Sequence, residues 1–291
     1  MSVGTKIKAL RLQRGMTQGV LAEGIVTRGM LSRIENGSAN PSMASLSALA
    51  ERLDVSPSFL LEAGDDLLPA ERAHFEKKLA AAYRATDARG CLALFSASPF
   101  AEDEAFVGIY THTAFSVAVE DFCRGDFTAA RALLSTVERL LPRSLLPIPD
   151  ISADRISFMR SVMDNIGATD MSLFAIGDAP DFAFQPALFF YILRLLQNGQ
   201  HDTCGFFLEF GNLSPMYRTY IEAQLYIRDY KLIDAILAMK GLVAKKECPC
   251  FLTLLCYASM ETCCKICEDF KGAYENHLAF QAFLEKIQNK K

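Results

Sequence analysis

The chain has 291 residues, of which 51% are hydrophobic and 22% charged, enough apolar side chain for two packed domains and too much for a disordered protein. Its net charge of −4 is unevenly spread: residues 1–61 hold seven lysines and arginines against four acids, a balance of +3, and the rest hold 23 against 30, a balance of −7. That excludes a protein basic over its whole surface, and it fits contact with a polyanion through one end only. The N-terminal stretch is polar and basic, with no apolar core of a targeting signal. The apolar runs near 189–196 and 251–260 are well short of a membrane span. The expectation is a soluble, cytoplasmic protein that meets no membrane.

In chain order, Ile7 and Leu10 share an inward face, and Gly15 suits the left-handed residue that ends a helix. Thr17 is an N-cap, followed by Gln18 at the first helical position, where a side chain reaches a phosphate. Leu21 and Ala22 turn inward, and Ala22 is small enough for a close helix crossing. Thr27 caps the next helix, Arg28-Gly29-Met30-Leu31-Ser32-Arg33-Ile34-Glu35-Asn36, which Gly37 closes. Leu31 and Ile34 lie on one face, while Arg28, Gly29, Ser32 and Arg33 lie on the other, which is cationic and hydrogen-bonding. Ser42 caps a fourth helix that buries Leu46, Leu49, Ala50 and Leu53, and Ser56-Pro57 starts a fifth. Two helices joined by a tight turn form a helix-turn-helix, which can lay its second helix in the major groove of DNA.

The ordered set Gln18, Leu21, Ala22, Leu31, Ser32, Arg33, Ile34, Glu35, Gly37, Pro41, Ser42, Leu46, Leu49, Ala50 and Leu53 resembles the repressor-type helix-turn-helix family, the Cro/C1 or xenobiotic-response-element type. The resemblance implies a five-helix, lambda-repressor-like domain over residues 1–66 and a double-stranded DNA operator as partner. It also implies DNA contacts from Gln18, Thr27, Arg28, Gly29, Met30, Ser32 and Arg33, with phosphate contacts from Asn36, Ser38 and Asn40. The bland readings are that Arg33 is solvated beside Glu35, that Gly29 is neutral and that Met30 covers the core edge. One departure is informative: the family's leucine-glycine-valine-serine turn is replaced by Gly24-Ile25-Val26-Thr27, one residue shorter overall. That shortened form resembles the RRNPP group, the peptide-sensing quorum regulators of Gram-positive bacteria. The resemblance implies that the rest of the chain senses a short imported signalling peptide.

After the link Asp65-Asp66-Leu67-Leu68-Pro69, a connecting helix is predicted from Pro69 to about Arg84. No later stretch alternates with period two, so the fold class is all-α. Gly125-Asp126-Phe127-Thr128-Ala129-Ala130-Arg131 sits between two apolar faces: Ala114, Val117 and Ala118 before it, and Ala130, Leu133, Leu134 and Val137 after it. Phe127 plugs the turn and Pro142 ends the pair. This resembles a tetratricopeptide repeat, with weaker copies at Arg228-Asp229-Tyr230 and Glu268-Asp269-Phe270. Two further pairs are expected at 152–177 and 185–210, about five in all. They would stack into a curved solenoid over 67–291 that dimerises and senses a ligand. Its first helices would offer Arg160, Asn165, Tyr191, Arg194, Asn198, Tyr220, Gln224 and Arg228 to an extended peptide. Amides would hold its backbone, arginines its carboxylate, and pockets lined by Phe158, Phe190 and Leu225 its side chains. The alternatives are that the repeats dock a protein partner, or that they only dimerise a constitutive repressor.

Nine cysteines include Cys264-x-x-Cys267 and Cys248-x-Cys250, spacings that raise zinc or a redox switch. Cys256, Cys263 and Cys267 instead fall at helical spacing in an apolar segment without a ligand knuckle, so reduced core thiols are expected. The four histidines, His74, His112, His201 and His277, form no triad or metal spacing, and no glycine-rich phosphate loop occurs. No catalytic residue, metal or cofactor is assigned. The expectation is a DNA-binding transcriptional regulator, and because +3 is a modest attraction for phosphate, a homodimer.

Overall fold

The computed structural model describes residues 1–62, 64 and 66–289; Asp65 of the predicted link, and the end of the predicted 67–291 domain, lie outside the described residues. Those residues form helices, turns and loops, with no strand among them. None of the described helices is long and apolar enough to cross a membrane. By contact the chain divides into two compact units, Met1–Ala101 and Glu102–Lys291.

The first unit contains α1 (Val3–Gln13), α2 (Gln18–Ala22), α3 (Arg28–Glu35), α4 (Met43–Arg52), α5 (Pro57–Leu61), α6 (Leu68–Arg84) and α7 (Ala88–Ser96). Each of the first five begins at a hydroxyl: Ser2, Thr17, Thr27, Ser42 and Ser56 accept the backbone N–H three residues on. Such caps contribute about 1 kcal/mol each. They set the phase that turns Ile7, Leu10, Leu21, Leu31, Ile34, Leu46, Leu49 and Leu53 into one core, with Leu60 and Ala70 closing it from α5 and α6. Gly15 and Gly37 end α1 and α3 at positive φ, 64° and 73°.

Gly4 matters for another reason. A Cβ there would lie 1.8 Å from the carbonyl oxygen of Ile34, so α1 crosses the end of α3 backbone to backbone. Gly4→Ala therefore forces the two helices apart and is expected to cost about 1–3 kcal/mol, as overpacking does. A lowered urea midpoint for this unit in the full chain checks it.

The second unit contains α8 (Glu104–Arg124), α9 (Phe127–Leu140), α10 (Ala153–Asp164), α11 (Gln185–Gln197), α12 (His201–Phe210), α13 (Pro215–Arg228), α14 (Leu232–Val243), α15 (Cys250–Ile266) and α16 (Phe270–Gln288). Four of its helix pairs turn in the same way. One residue, Gly125, Gly199, Tyr230 or Glu268, takes positive φ, and the next N–H reaches back to the carbonyl five residues earlier. In the first unit Thr86 makes the same turn between α6 and α7. Such left-handed ends satisfy the last helical carbonyls and start the second helix at once. Asp87, Asp126 and Asp269 then cap that helix, each accepting the N–H three residues on.

The pair expected at 152–177 does not form. After α10, Asn165 and Gly167 (φ 92°) turn the chain into an irregular strap with one short 3₁₀ turn, Met171–Leu173, and no second helix. Within the first unit, α6 and α7 form a helix pair with the same kind of turn.

The first helices of the second unit meet at one aromatic cluster. The Phe251 ring lies 5.5 Å from those of Phe122 and Phe190, 6.1 Å from Tyr217 and 6.4 Å from Phe189. Phe158 adds contacts at 6.5 Å to Phe122 and 5.3 Å to Phe190. Cys250 Sγ also donates to the Phe122 carbonyl at 3.4 Å, so α15 packs on α8. Burial pushes the Cys204 and Cys263 thiols up to about 11, which keeps them protonated at neutral pH as small apolar groups. Cys267 differs from the expectation: it is the exposed C-cap of α15, beyond the apolar face.

Candidate nucleic-acid interface and ligand groups

One buried network sets the position of α3. Glu35 is 1% exposed and takes a two-pronged contact from Arg11, Nε at 2.6 Å and Nη2 at 3.0 Å. The third Arg11 nitrogen, Nη1, donates to the Met16 carbonyl at 2.9 Å. The Gln18 amide completes the set, donating to Glu35 Oε2 at 2.8 Å. Helices α1, α2 and α3 are thus tied through a single carboxylate. Burial works against its charge, but the Arg11 and Gln18 hydrogen bonds outweigh that and hold it below the usual glutamate range. Paired Arg11 is held above its ordinary value by the same hydrogen bond.

This inward turn of Glu35 decides the outer face of α3. Glu35 is the helix's one acidic residue, and it faces away from Arg33. Arg28, Gly29, Met30 and Arg33 are exposed and Ser32 is half-buried, so the open face carries cations and no compensating acid. A Cβ on Gly29 would meet nothing within 4 Å, so the fold itself does not require glycine there. Thr27 is occupied as the cap of α3, accepting from the Met30 N–H at 3.2 Å. Asn36, Ser38 and Asn40 are exposed in the loop that follows. Gln18, expected at a phosphate, has its amide on Glu35. A surface concavity of about 750 Å³ runs from Gly15 and Thr17 past Gln18 to Arg28, beside the N-terminus of α3.

Two residues that sequence reasoning missed brace this arrangement. Arg52 Nη1 donates to the carbonyls of Val20 and Leu21 at 3.3 Å and to that of Glu23, closing the C-terminus of five-residue α2. Buried Lys6 donates to the Phe59 and Glu62 carbonyls at 3.0 and 2.9 Å, closing α5. Both act on carbonyls more than 25 residues away in sequence, and no local spacing announces them.

The ligand candidates of the second unit fall into separate groups. Asn165 and Arg194 come together on the strap: Asn165 Nδ2 donates to the Leu173 carbonyl at 3.3 Å, and Arg194 to those of Ile176 and Gly177 at 3.0 and 2.7 Å. The Arg194 guanidinium also lies over the ring of half-buried Tyr191, 5.2 Å from its centre. Tyr220 and Gln224 meet at Ser259, whose hydroxyl bonds both at 2.9 and 3.0 Å. Arg160 pairs with Glu138 at 2.7 Å and Arg228 with its neighbour Asp229 at 2.7 Å. Asn198 is the exposed C-cap of α11. Of the expected pocket residues, Phe158 and Phe190 are buried in the aromatic cluster and Leu225 is half-buried. Gln197, one residue before Asn198, was not anticipated and grips the strap at two points, donating to the Thr169 carbonyl at 2.7 Å and accepting the Met171 N–H at 3.1 Å.

Residues 7–60 match the family model described as helix-turn-helix, which spans α2, α3 and their supporting helices. The N-terminal segment carries a helix-turn-helix domain. An immunity repressor protein of Bacillus phage phi105 is 37% identical over 79 residues, 27% of this chain and 54% of that protein, so the chain matches about half the length of this curated relative. Among solved structures, Bacillus thuringiensis PlcR in complex with the peptide PapR7 and DNA is 17% identical, with 99% of each chain covered and a TM-score of 0.22. ComR from S. thermophilus in complex with DNA and its signalling peptide ComS is 17% identical over 97% of this chain and 99% of that one, with a TM-score of 0.23.

Proposed function

We propose that this chain is a sequence-specific DNA-binding transcriptional regulator that acts as a cytoplasmic homodimer. The observation that carries this reading is the outer face of α3, where Arg28 and Arg33 stand exposed while the helix's one carboxylate is turned inward onto Arg11. Arginine matches guanine edges and phosphates in a two-pronged geometry, and the α3 N-terminus adds its dipole toward a phosphate. Thr27, Gly29, Met30 and Ser32 would meet the groove, with Asn36, Ser38 and Asn40 on phosphate. Gln18 would fix α3 through Glu35 and meet phosphate with what its amide leaves over. The DNA-binding domain would end near residue 66, with the repeats beginning at α6, because the α6–α7 turn at Thr86 copies the repeat turns further on.

The repeats would dimerise the protein and sense a short peptide, so that one peptide-bound state sets two copies of α3 about one helical turn of DNA, roughly 34 Å, apart. The shortened Gly24–Thr27 turn and the backbone-gripping side chains around the strap support that reading. A second reading, a constitutive dimeric repressor, is favoured by the aromatic cluster that fills the meeting point of the first helices.

Arg28→Ala and Arg33→Ala are each expected to weaken binding to a wild-type-selected duplex by about 1–3 kcal/mol and to relax the sequence preference. Fluorescence anisotropy on folded variants reads this out. A double variant that binds as tightly as the parent removes α3 as the reading helix.

A further inference from the structure

Residues 169–177 are held mainly by side chains that reach in from the elements on either side. They make little regular structure of their own. Six hydrogen bonds run instead between their backbone and side chains of α10 and α11. Gln197 brackets the strap's start, donating to the Thr169 carbonyl and accepting the Met171 N–H. Asn165 takes the Leu173 carbonyl, the Ser161 hydroxyl accepts the Ala175 N–H at 2.9 Å, and Arg194 closes on the Ile176 and Gly177 carbonyls. None of these bonds reads a strap side chain. Two apolar anchors supply the rest: Met171 is buried, and Phe174 is buried with its ring 4.9 Å from that of Phe190. Open space lies instead beside the strap's C-terminal end, away from both anchors. A cavity of about 110 Å³ lies between Arg155, Phe158 and Tyr191 and the strap residues Ala175, Ile176 and Gly177.

Side chains that hold only backbone groups are indifferent to which chain supplies them. We propose that residues 169–177 are an internal stand-in for the peptide that this unit receives. An incoming peptide that follows the strap's path, its short turn included, with two apolar side chains spaced as Met171 and Phe174 are, takes over the groups of Gln197, Asn165, Ser161 and Arg194 and releases the strap. This rests on the peptide-sensing reading and adds the site, the backbone-directed grip and the competing segment. The freed strap lies between α10 and α11, so its release changes how these two helices are joined and gives the peptide a structural effect to select. A closed strap also lowers apparent affinity in proportion to the time it is closed, which sets a threshold for the signal.

Two measurements on the full chain test this. In hydrogen exchange, the Met171 and Ala175 amides are expected to exchange through local opening, at least about tenfold faster than amides inside α11. Exchange in step with α11 would make the strap a fixed part of the fold and overturn the proposal. In the second, a labelled peptide of sequence TDMSLFAIG, copied from residues 169–177, is titrated against wild type and a Met171→Ser/Phe174→Ser variant whose own strap is loosened. The variant is expected to bind it saturably and at least about tenfold more tightly than wild type, and added Gln197→Ala to undo most of that gain. Equal binding by wild type and variant, or no effect of Gln197→Ala, overturns the proposal. If the variant does not fold, the exchange result on wild type decides. A pool of random nonapeptides separates the two ideas: a member that binds wild type without speeding strap exchange refutes the stand-in and leaves peptide sensing standing.

Discussion

Glu35→Ala will leave the helix-turn-helix unfolded or nearly so at neutral pH. The substitution strips a buried guanidinium of both its carboxylate contacts, 2.6 and 3.0 Å, and takes the Gln18 amide's acceptor as well. Removing one partner of a buried ion pair typically costs 3–5 kcal/mol, because the remaining charge is left without compensation. A domain of about 60 residues has little more than that to lose. Loss of the first unit's transition in urea, with the second unit's transition retained, is the expected result in the full chain. The same pair gives a pH dependence of fixed sign. The Glu35 carboxyl is held below its ordinary value in the fold, so its contribution is complete above the unfolded value of about 4.3 and fades as pH falls through the lower folded value. Circular dichroism during acid titration should therefore show this unit stable at pH 5–6 and weakening only below about 4.

Phe251→Ala will destabilise the second unit by about 3–5 kcal/mol, the range for removing a buried aromatic ring. Phe251 is where α15 meets the rings of α8, α11 and α13, so the cavity would open between helices from both ends of the repeat array. Neighbouring rings cannot all move in to fill it, because Phe189 and Phe190 are packed against each other, Phe122 and Phe190 against Phe158, and Phe189 against Tyr217. A shifted urea midpoint for the second unit measures the loss. Tyr230→Ala is the control: at 84% exposed, it should move the same midpoint by less than about 0.5 kcal/mol.

What the sequence made legible here was local. A hydroxyl cap satisfies an N–H three residues away, so Thr17, Thr27, Ser42 and Ser56 announced their helices, and Gly15 and Gly37 marked where two of them stop. The apolar phase of Leu31 and Ile34 then fixed which side of α3 faces out. What stayed hidden depends on residues far apart in the chain. Arg33 and Glu35 look like neighbours in sequence, yet Glu35 belongs to Arg11 across the core. Arg52, Lys6 and Gln197 act on carbonyls that no spacing links to them. The sequence suggests a helix over the strap because Met171, Leu173 and Phe174 continue the apolar content of α10. Gly167, Gly177 and Pro180 were the breakers that argued otherwise. Of the repeat turns without glycine, those at Tyr230 and Glu268 are legible as weaker copies of the Gly125-Asp126-Phe127 pattern, whereas Thr86 is not, since a non-glycine residue at positive φ leaves no compositional mark of its own.

If two copies of α3 read DNA sequence together, selection from a pool of random duplexes by the 291-residue chain will show it. An enriched motif is expected, made of two related half-sites whose centres lie one turn, about 10–10.5 base pairs, or a whole number of turns apart. The Arg28→Ala protein is expected to lose preference at one position in each half-site. Recovery of duplexes with no common motif, under salt at which the folded protein still binds DNA, would contradict sequence reading by α3.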